Sequence, residues 1–292
     1  MSSLKEIKGR IASVKSTQKI TSAMKMVASA KLRKAQSQIE RFLPYEHRLA
    51  TILAHFLSSE TEFASDLSEK RDVKRLAVVV FSSNSSLCGA FNSNILRLFQ
   101  QVREQYAGVS DADIVVYPVG KKIEEAISKL PRKYHLQGSY IPLMDNPNFD
   151  GARAIADQLI SDFRLKRIDC VELLYNHLKN TAVQLPTIQR FLPIAPDENL
   201  HKTTALSIDY IVEPDKKTVL EALMPKSLRI KIYAALLDSA AAEQAARMVA
   251  MQVATDNADE ILEELTIQFN KQRQQSITGE LLDIIGGSEA LK

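Results

Sequence analysis

Cysteine is nearly missing from this 292-residue chain: Cys88 and Cys170 are the only two. Two thiols build no disulfide framework and suggest a reducing compartment. Long apolar runs are also missing; nothing approaches the ~20 residues that a helix needs to cross a membrane. Neither common phosphate cradle, GxxxxGK[ST] or GxGxxG, occurs. The five histidines (His47, His55, His135, His177, His201) are scattered, without metal-ligand spacing. Val119-Gly120-Lys121-Lys122 could touch an anion at a strand–helix turn, although a strand-ending glycine is the commoner explanation. Ser85-Ser86-Leu87-Cys88-Gly89 resembles a nucleophile elbow only loosely and lacks the GxSxG frame. Cys88 has apolar neighbours and reads as an inert buried thiol. These absences argue against a self-contained enzyme, and no cofactor or metal is expected.

Glycine and proline are absent from Lys226 to Thr278. Ala, Leu, Met, Gln, Glu, Lys and Arg dominate that stretch, the residues that lose least on entering a helix. Ala254, Ala258, Ile261, Leu265 and Phe269 fall at helical spacing on one face. Such a helix would run roughly 80 Å, too long for the core of one compact domain. It therefore needs a partner along its length.

The other end of the chain supplies one. From Leu4 to about Leu57, Leu4, Ile7, Ile11, Val14, Gln18, Thr21, Lys25, Ala28, Leu32, Ala35, Ile39 and Phe42 alternate in steps of three and four. That is a heptad seam, weakened at Gln18, Thr21 and Lys25. Pro44 can kink this helix without ending it, and Pro225 can kink the last one. Ile20, Met24 and Val27 lie off the seam, so something besides the partner helix is expected to surround it. The N-terminus is basic and amphipathic, as a transit peptide would be, but it carries Glu6 and continues unbroken; it reads as mature protein. Residues 1–34 hold nine Lys/Arg against that one acid, whereas over residues 256–289 eight Asp/Glu outnumber two Lys/Arg. The basic segment suggests an acidic partner.

Residues 58–72 read as a polar linker. Periodicity then changes. Arg75–Phe81 and Ile114–Val119 are β-branched runs of strands buried on both faces. Tyr134–Ile141 reads as a short strand, Ile168–Tyr175 and Ala182–Leu192 as further strands. Helices are expected at Ser93–Tyr106, Lys121–Leu130 and Asp150–Arg164, the last capped by Asp150. This alternation predicts an α/β module with a mostly parallel, Rossmann-like sheet over residues 73–200. A connecting segment (201–214) leads to the C-terminal helix (215–292), facing the N-terminal helix (1–57). The fold class is α/β, with the module inserted between the arms of a long antiparallel two-helix coiled coil. Ala234, Ala235, Ala241, Ala242, Ala245 and Ala246 are expected to let the two long helices approach closely.

Three blocks carry a resemblance. They are IASVKSTQKITSAMKMVA (Ile11–Ala28) with KLRKA (Lys31–Ala35); LCGAFN (Leu87–Asn92); and AEQAARMVAM (Ala242–Met251), continuing through Ala254–Ala258 to Asn270, Arg273, Gln274, Ile277, Thr278, Glu280 and Leu281. Together they resemble the γ subunits of F-type ATP synthases over nearly the whole chain. The resemblance implies a rotor shaft that couples proton flow to ATP synthesis. The coiled coil would fill an α3β3 hexamer of α and β subunits, with its foot on the membrane-embedded c-ring beside the ε subunit. Catalytic residues would belong to β, so this chain alone would be no enzyme. It would lie peripherally on the cytoplasmic face of a bacterial inner membrane. The family's hexamer contacts fall on Met24, Lys25, Arg247, Arg273, Gln274 and Thr278, and its c-ring side on Tyr210 and Glu213. Asn84, Ser85 and Ser86 stand where the family usually has an Asp, a basic residue and a Gly, a departure that bears on the geometry of that turn and not on the shaft. No cysteine-bearing regulatory insertion is present, so no thiol switch is expected. Without the resemblance, the basic helix would suggest a nucleic-acid-binding coiled coil, and the module a nucleotide-binding enzyme.

Overall fold

The computed structural model describes residues 4–59, 66–131, 134–194, 212–213 and 215–290. Two compact units divide the chain. One holds residues 29–247; the other pairs Met1–Ala28 with Met248–Lys292. Helices α1 (Leu4–Ser59) and α6 (Lys216–Ala290) contribute to both.

The larger unit is built on β1 (Leu76–Phe81), buried at every position. An unbroken LAVVVF run requires cover on both faces, and it has parallel neighbours on both sides. These are β2 (Ile114–Val119) and β4 (Cys170–Leu178). A two-residue β3 (His135–Leu136) extends the sheet beyond β2, and β5 (Gln184–Leu192) runs antiparallel to β4. The order is β3-β2-β1-β4-β5. Strand residues alternate between faces. Leu76, Val78 and Val80 meet α2 (Phe91–Gln105) and α3 (Lys121–Ser128) through Ile95, Leu98, Phe99, Ile123 and Ile127. Ala77, Val79 and Phe81 share a core with α5 (Phe149–Arg164) and α6. Helix α6 lays Leu220, Met224, Leu228, Ile232, Leu236 and Ala240 into that core, a ridge in steps of four.

Some details of this unit differ from or add to the sequence expectations. Asn148, not Asp150, caps α5, its Oδ1 accepting from the Gly151 N–H at 2.8 Å. The helix starts one residue earlier, and Asp150 lies in its first turn. The expected strand over Tyr134–Ile141 is only β3; Ile141–Asp145 forms the short helix α4, with Pro142 in its first turn. Proline suits that position because no intrahelical N–H is needed there. The alanines of α6 also serve the sheet: Ala235 shares its core with Leu53 of α1, while Ala242 and Ala246 pack on Cys88 and Phe91. The expected extended segment at Leu206–Val212 lies, but for Val212, outside the described residues.

In the smaller unit the heptad of α1 is the side that withdraws from solvent. Ile7, Thr21 and Ala28 are buried, and Leu4, Ile11, Val14, Gln18 and Lys25 half-buried. Across the seam Gln18 Nε2 donates to Asp259 Oδ1 at 2.6 Å, the Thr21 and Thr255 hydroxyls meet at 2.8 Å, and Lys25 Nζ donates to Gln252 Oε1 at 2.7 Å. As numbers rise on α1 they fall on α6, so the helices are antiparallel. On α6 the matching stripe is Met251, Thr255, Ala258, Leu262, Leu265, Phe269, Gln272, Ser276 and Gly279. Ile261, expected on that face, is 44% exposed, and Leu262 takes its place. Two supercoiled helices follow a 3.5-residue repeat, which selects 262 rather than 261 between 258 and 265.

Candidate functional site

The paired helices carry the first group of candidate residues. Lys25 is a seam residue: its ammonium is spent on Gln252, whose Nε2 donates in turn to Asp256 Oδ1 at 2.6 Å. Met24 beside it is half-buried. Of the residues expected off the seam, Ile20 and Val27 are open, each 57% exposed, as is Met26 at 63%, whereas Met24 is half-buried. Arg273, Gln274 and Thr278 are exposed as well, and the Thr278 hydroxyl donates back to the Gln274 carbonyl at 2.9 Å. The antiparallel register brings Leu4 level with Arg273. Beyond Gly279 every residue through Ser288 is exposed, including Leu281, Leu282, Ile284 and Ile285. Four large apolar side chains in one exposed turn and a half mark an interaction surface.

The sheet unit holds the second group. In an open α/β sheet, ligands bind beyond the carboxyl ends of the strands, where the strand order reverses. Here that crevice lies past Phe81 and Leu178, at the ends of adjacent β1 and β4. It is filled by the chain's own α6. Asp238 accepts from the Leu178 N–H at 2.9 Å and pairs with His177 Nδ1 at 2.6 Å. Ala242 and Ala246 pack on Cys88 and Phe91, with Leu178 against them. Arg247 is buried; it pairs with Glu243 at 2.6 Å and donates to the Ser85 hydroxyl at 2.8 Å and the Ser85 and Ser86 carbonyls at 3.3 Å. Burial pushes the Glu243 carboxyl upward, and the Arg247 guanidinium opposes that shift. Arg247, expected to reach a partner, thus spends its hydrogen bonds inside this unit.

The start of α3 is equally committed. The Lys121 N–H donates to Asn84 Oδ1, the Lys122 N–H to the Ser83 carbonyl and the Ile123 N–H to Ser82 Oγ, each at 3.0 Å. These are the groups that would cradle a phosphate, and all three are taken. Gly120, at φ +113°, lies so close to the Ser82 carbonyl that a Cβ would stand 2.1 Å from its oxygen. A close approach, not an anion, explains that glycine. Asn84 also donates to the Ile141 carbonyl at 2.9 Å, so the unusual Asn84-Ser85-Ser86 turn is held from both sides. No group of three His, Cys, Asp or Glu is placed to hold a metal among the described residues.

On the remaining side, Glu213 is exposed just before α6, and Tyr210 lies outside the described residues. Asp215 caps α6, accepting from the Thr218 N–H and hydroxyl at 2.8 Å each, and these bonds lower its carboxyl pKa. The Asp-x-x-Thr spacing carried that signal in the sequence.

Comparison with known proteins adds three findings. A family model described as "ATP synthase" matches residues 3–291. An "ATP synthase gamma chain" of Azobacteroides pseudotrichonymphae is 56% identical over 292 residues, covering 100% of both chains. That of Phocaeicola vulgatus is 52% identical, covering 99% of this chain and 100% of its own. Among solved structures, a chain of the Tetrahymena thermophila mitochondrial ATP synthase central stalk and c-ring is 29% identical. It matches with a TM-score of 0.57, over 80% of this chain and 99% of its own. A chain of the Euglena gracilis mitochondrial ATP synthase, at 21% identity and TM-score 0.66, shares the fold over 99% of this chain and 94% of its own.

Proposed function

Because the chain belongs to the ATP synthase gamma-chain family, we propose that it is the central rotor shaft of an F1Fo ATP synthase. It transmits torque between a membrane c-ring and an α3β3 hexamer, and so couples ion flow to ATP synthesis. The observation that carries this reading is the rung ladder Gln18–Asp259, Thr21–Thr255 and Lys25–Gln252. Hydrogen bonds across an antiparallel seam keep two helices from sliding or turning independently, as a shaft requires. The α6 stretch from Lys226 to Thr278 has no glycine or proline at which it could yield.

In this reading the exposed Arg273, Gln274 and Thr278 of the paired helices, with the half-buried Met24 and Lys25, face the hexamer, and the apolar Leu281–Ile285 end is covered within it. Arg247 acts on that contact from inside, by holding α6 to the turn after β1. Tyr210 and Glu213 belong to the c-ring and ε side. The chain does no catalysis of its own, since its α/β crevice is filled by α6. It associates peripherally on the cytoplasmic face of a bacterial membrane; no helix among the described residues is long and apolar enough to span one.

The test is reconstitution. The purified chain should co-elute with α3β3 at one copy per hexamer, raise the hexamer's ATP hydrolysis and hydrolyse none alone. Failure to join the hexamer, or hydrolysis by the chain alone, overturns the reading.

A further inference from the structure

One cavity of the sheet unit is not among the features from which the shaft was derived. It measures about 380 Å³ and opens between α1, α6 and the β4–β5 pair. That volume lies within the roughly 300–1,000 Å³ of small-molecule sites. Its apolar lining comes from Ile39 and Leu43 of α1 and Ala234 and Leu237 of α6, and Phe42 and Tyr175 add aromatic walls. Three carboxylates, Glu40, Glu46 and Asp238, also line it.

The cations that line the cavity are already engaged. Lys231 Nζ donates to the Arg190 carbonyl at 2.9 Å, and His177 Nδ1 meets Asp238. Glu40 and Glu46, by contrast, have no ion-pair or hydrogen-bond partner among the described residues. The resulting negative field is felt by the Tyr175 phenol, pushed up to about 12 by burial first, then by Asp238 and Glu46. A negatively charged, aromatic and aliphatic pocket is complementary to a cation with an apolar body.

We propose that this cavity binds a small organic monocation, a primary ammonium on an aryl or alkyl body. The body lies on Ile39, Leu43 and Leu237, and the ammonium faces Glu46 and Asp238. An ammonium carries three donors, enough to satisfy an unpaired carboxylate and a second acceptor together. This is independent of the rotor assignment, because it rests on the cavity alone.

The probe is 4-phenylbutylammonium, titrated by calorimetry into the full-length chain, with 4-phenylbutanol as its neutral counterpart. The expected result is saturable one-site binding of the ammonium with Kd below about 1 mM, and binding of the alcohol about tenfold weaker or more. Glu46→Gln should weaken the ammonium about tenfold and leave the alcohol unchanged. Ala234→Phe, which fills the space, should abolish both while the chain unfolds at its usual temperature. Equal affinity for the two probes, no saturable binding, or indifference to both substitutions overturns the proposal.

Discussion

Helix α6 meets two packing problems with one backbone. From Ser227 to Met248 no residue is exposed, whereas from Asp256 to Glu280 only a heptad stripe withdraws from solvent. The first segment is surrounded by a sheet, α5, α1 and the turn after β1. The second has a single neighbour among the described residues. Where all sides are covered, the sequence uses alanine densely, since only small side chains let neighbours approach from every direction. Where one side is covered, large and small residues alternate in sevens and the rest is charged. The wrapped segment is thereby committed to its own chain, and the striped one offers most of its surface to others.

The hardest break is Arg247→Ala. Removing one partner of a buried pair leaves the other charge stranded, at a cost of about 3–5 kcal/mol. Both side chains are near-buried, and three further hydrogen bonds to the Ser85–Ser86 turn go with it. Urea unfolding of the full chain should register the loss. The variant should also change the pH response. Glu243 has a raised folded-state pKa, so its contribution favours folding below the usual carboxylate value of 4.5 and is lost as pH rises through the raised value. Without Arg247 that raised value moves higher, so stability should fall more steeply with pH above 4.5 than in the parent chain. A flat difference between the two chains across that range would contradict this account.

The same truncation on either side of the boundary measures the contrast directly. Leu236 is 1% exposed and Leu265 4%, so their burial is alike. Leu236→Ala opens a hole walled on all sides by sheet and helices and should cost about 4 kcal/mol, near the top of the range for such changes. Leu265→Ala removes a knob between two helices that can draw together, and should cost about 2 kcal/mol. Equal losses would mean that the seam is as rigid as the core.

This contrast was only partly legible in the sequence. The seam of α1 was legible residue by residue, because steps of three and four over eight positions define one face. The central strands were legible because β-branched runs without polar residues need burial on both sides. The α6 seam was misjudged by one residue, Ile261 for Leu262. Both are large and apolar, and only the 3.5-residue repeat of a paired helix separates them. The second use of the α6 alanines, against Cys88 and Phe91, was not legible, because composition reveals that a neighbour comes close, not how many neighbours do. The inward role of Arg247 could not be read at all: its partners Ser85 and Ser86 lie some 160 residues away. They contact α6 only because β1 ends beside β4.

A smaller effect isolates the polar rungs of the seam. Thr21 and Thr255 meet at 2.8 Å, and each hydroxyl also lies within reach of a carbonyl of its own helix, Gln18 at 3.0 Å and Met251 at 2.8 Å. A hydroxyl has one proton, so one threonine bonds across while the other bonds back. Thr21→Val should therefore cost only about 0.5–1 kcal/mol, the net worth of one hydrogen bond. Thr21→Val with Thr255→Val should return close to the parent stability, because neither side is left with an unpaired group. Such polar rungs fix register more than they add stability. An additive double variant would show that the two hydroxyls do not meet.

The last test lies where the seam runs out. Gly279 continues the heptad of α6, yet a Cβ there would meet nothing within 4 Å. Leu4, the first described residue of α1, lies level with Arg273, six residues short of Gly279. A helical glycine that no neighbour needs costs its backbone entropy without return, about 0.5–1 kcal/mol against alanine. Gly279→Ala should slow hydrogen exchange of the amides around residues 275–288 by about two- to fivefold and leave the sheet unit unchanged. If protection falls instead, Gly279 is pressed against a neighbour and the seam reaches further than its rungs indicate. If it rises as expected, the glycine's use is not in the folded chain alone: it leaves the apolar Leu281–Ile285 end loose enough to settle into whatever surrounds it.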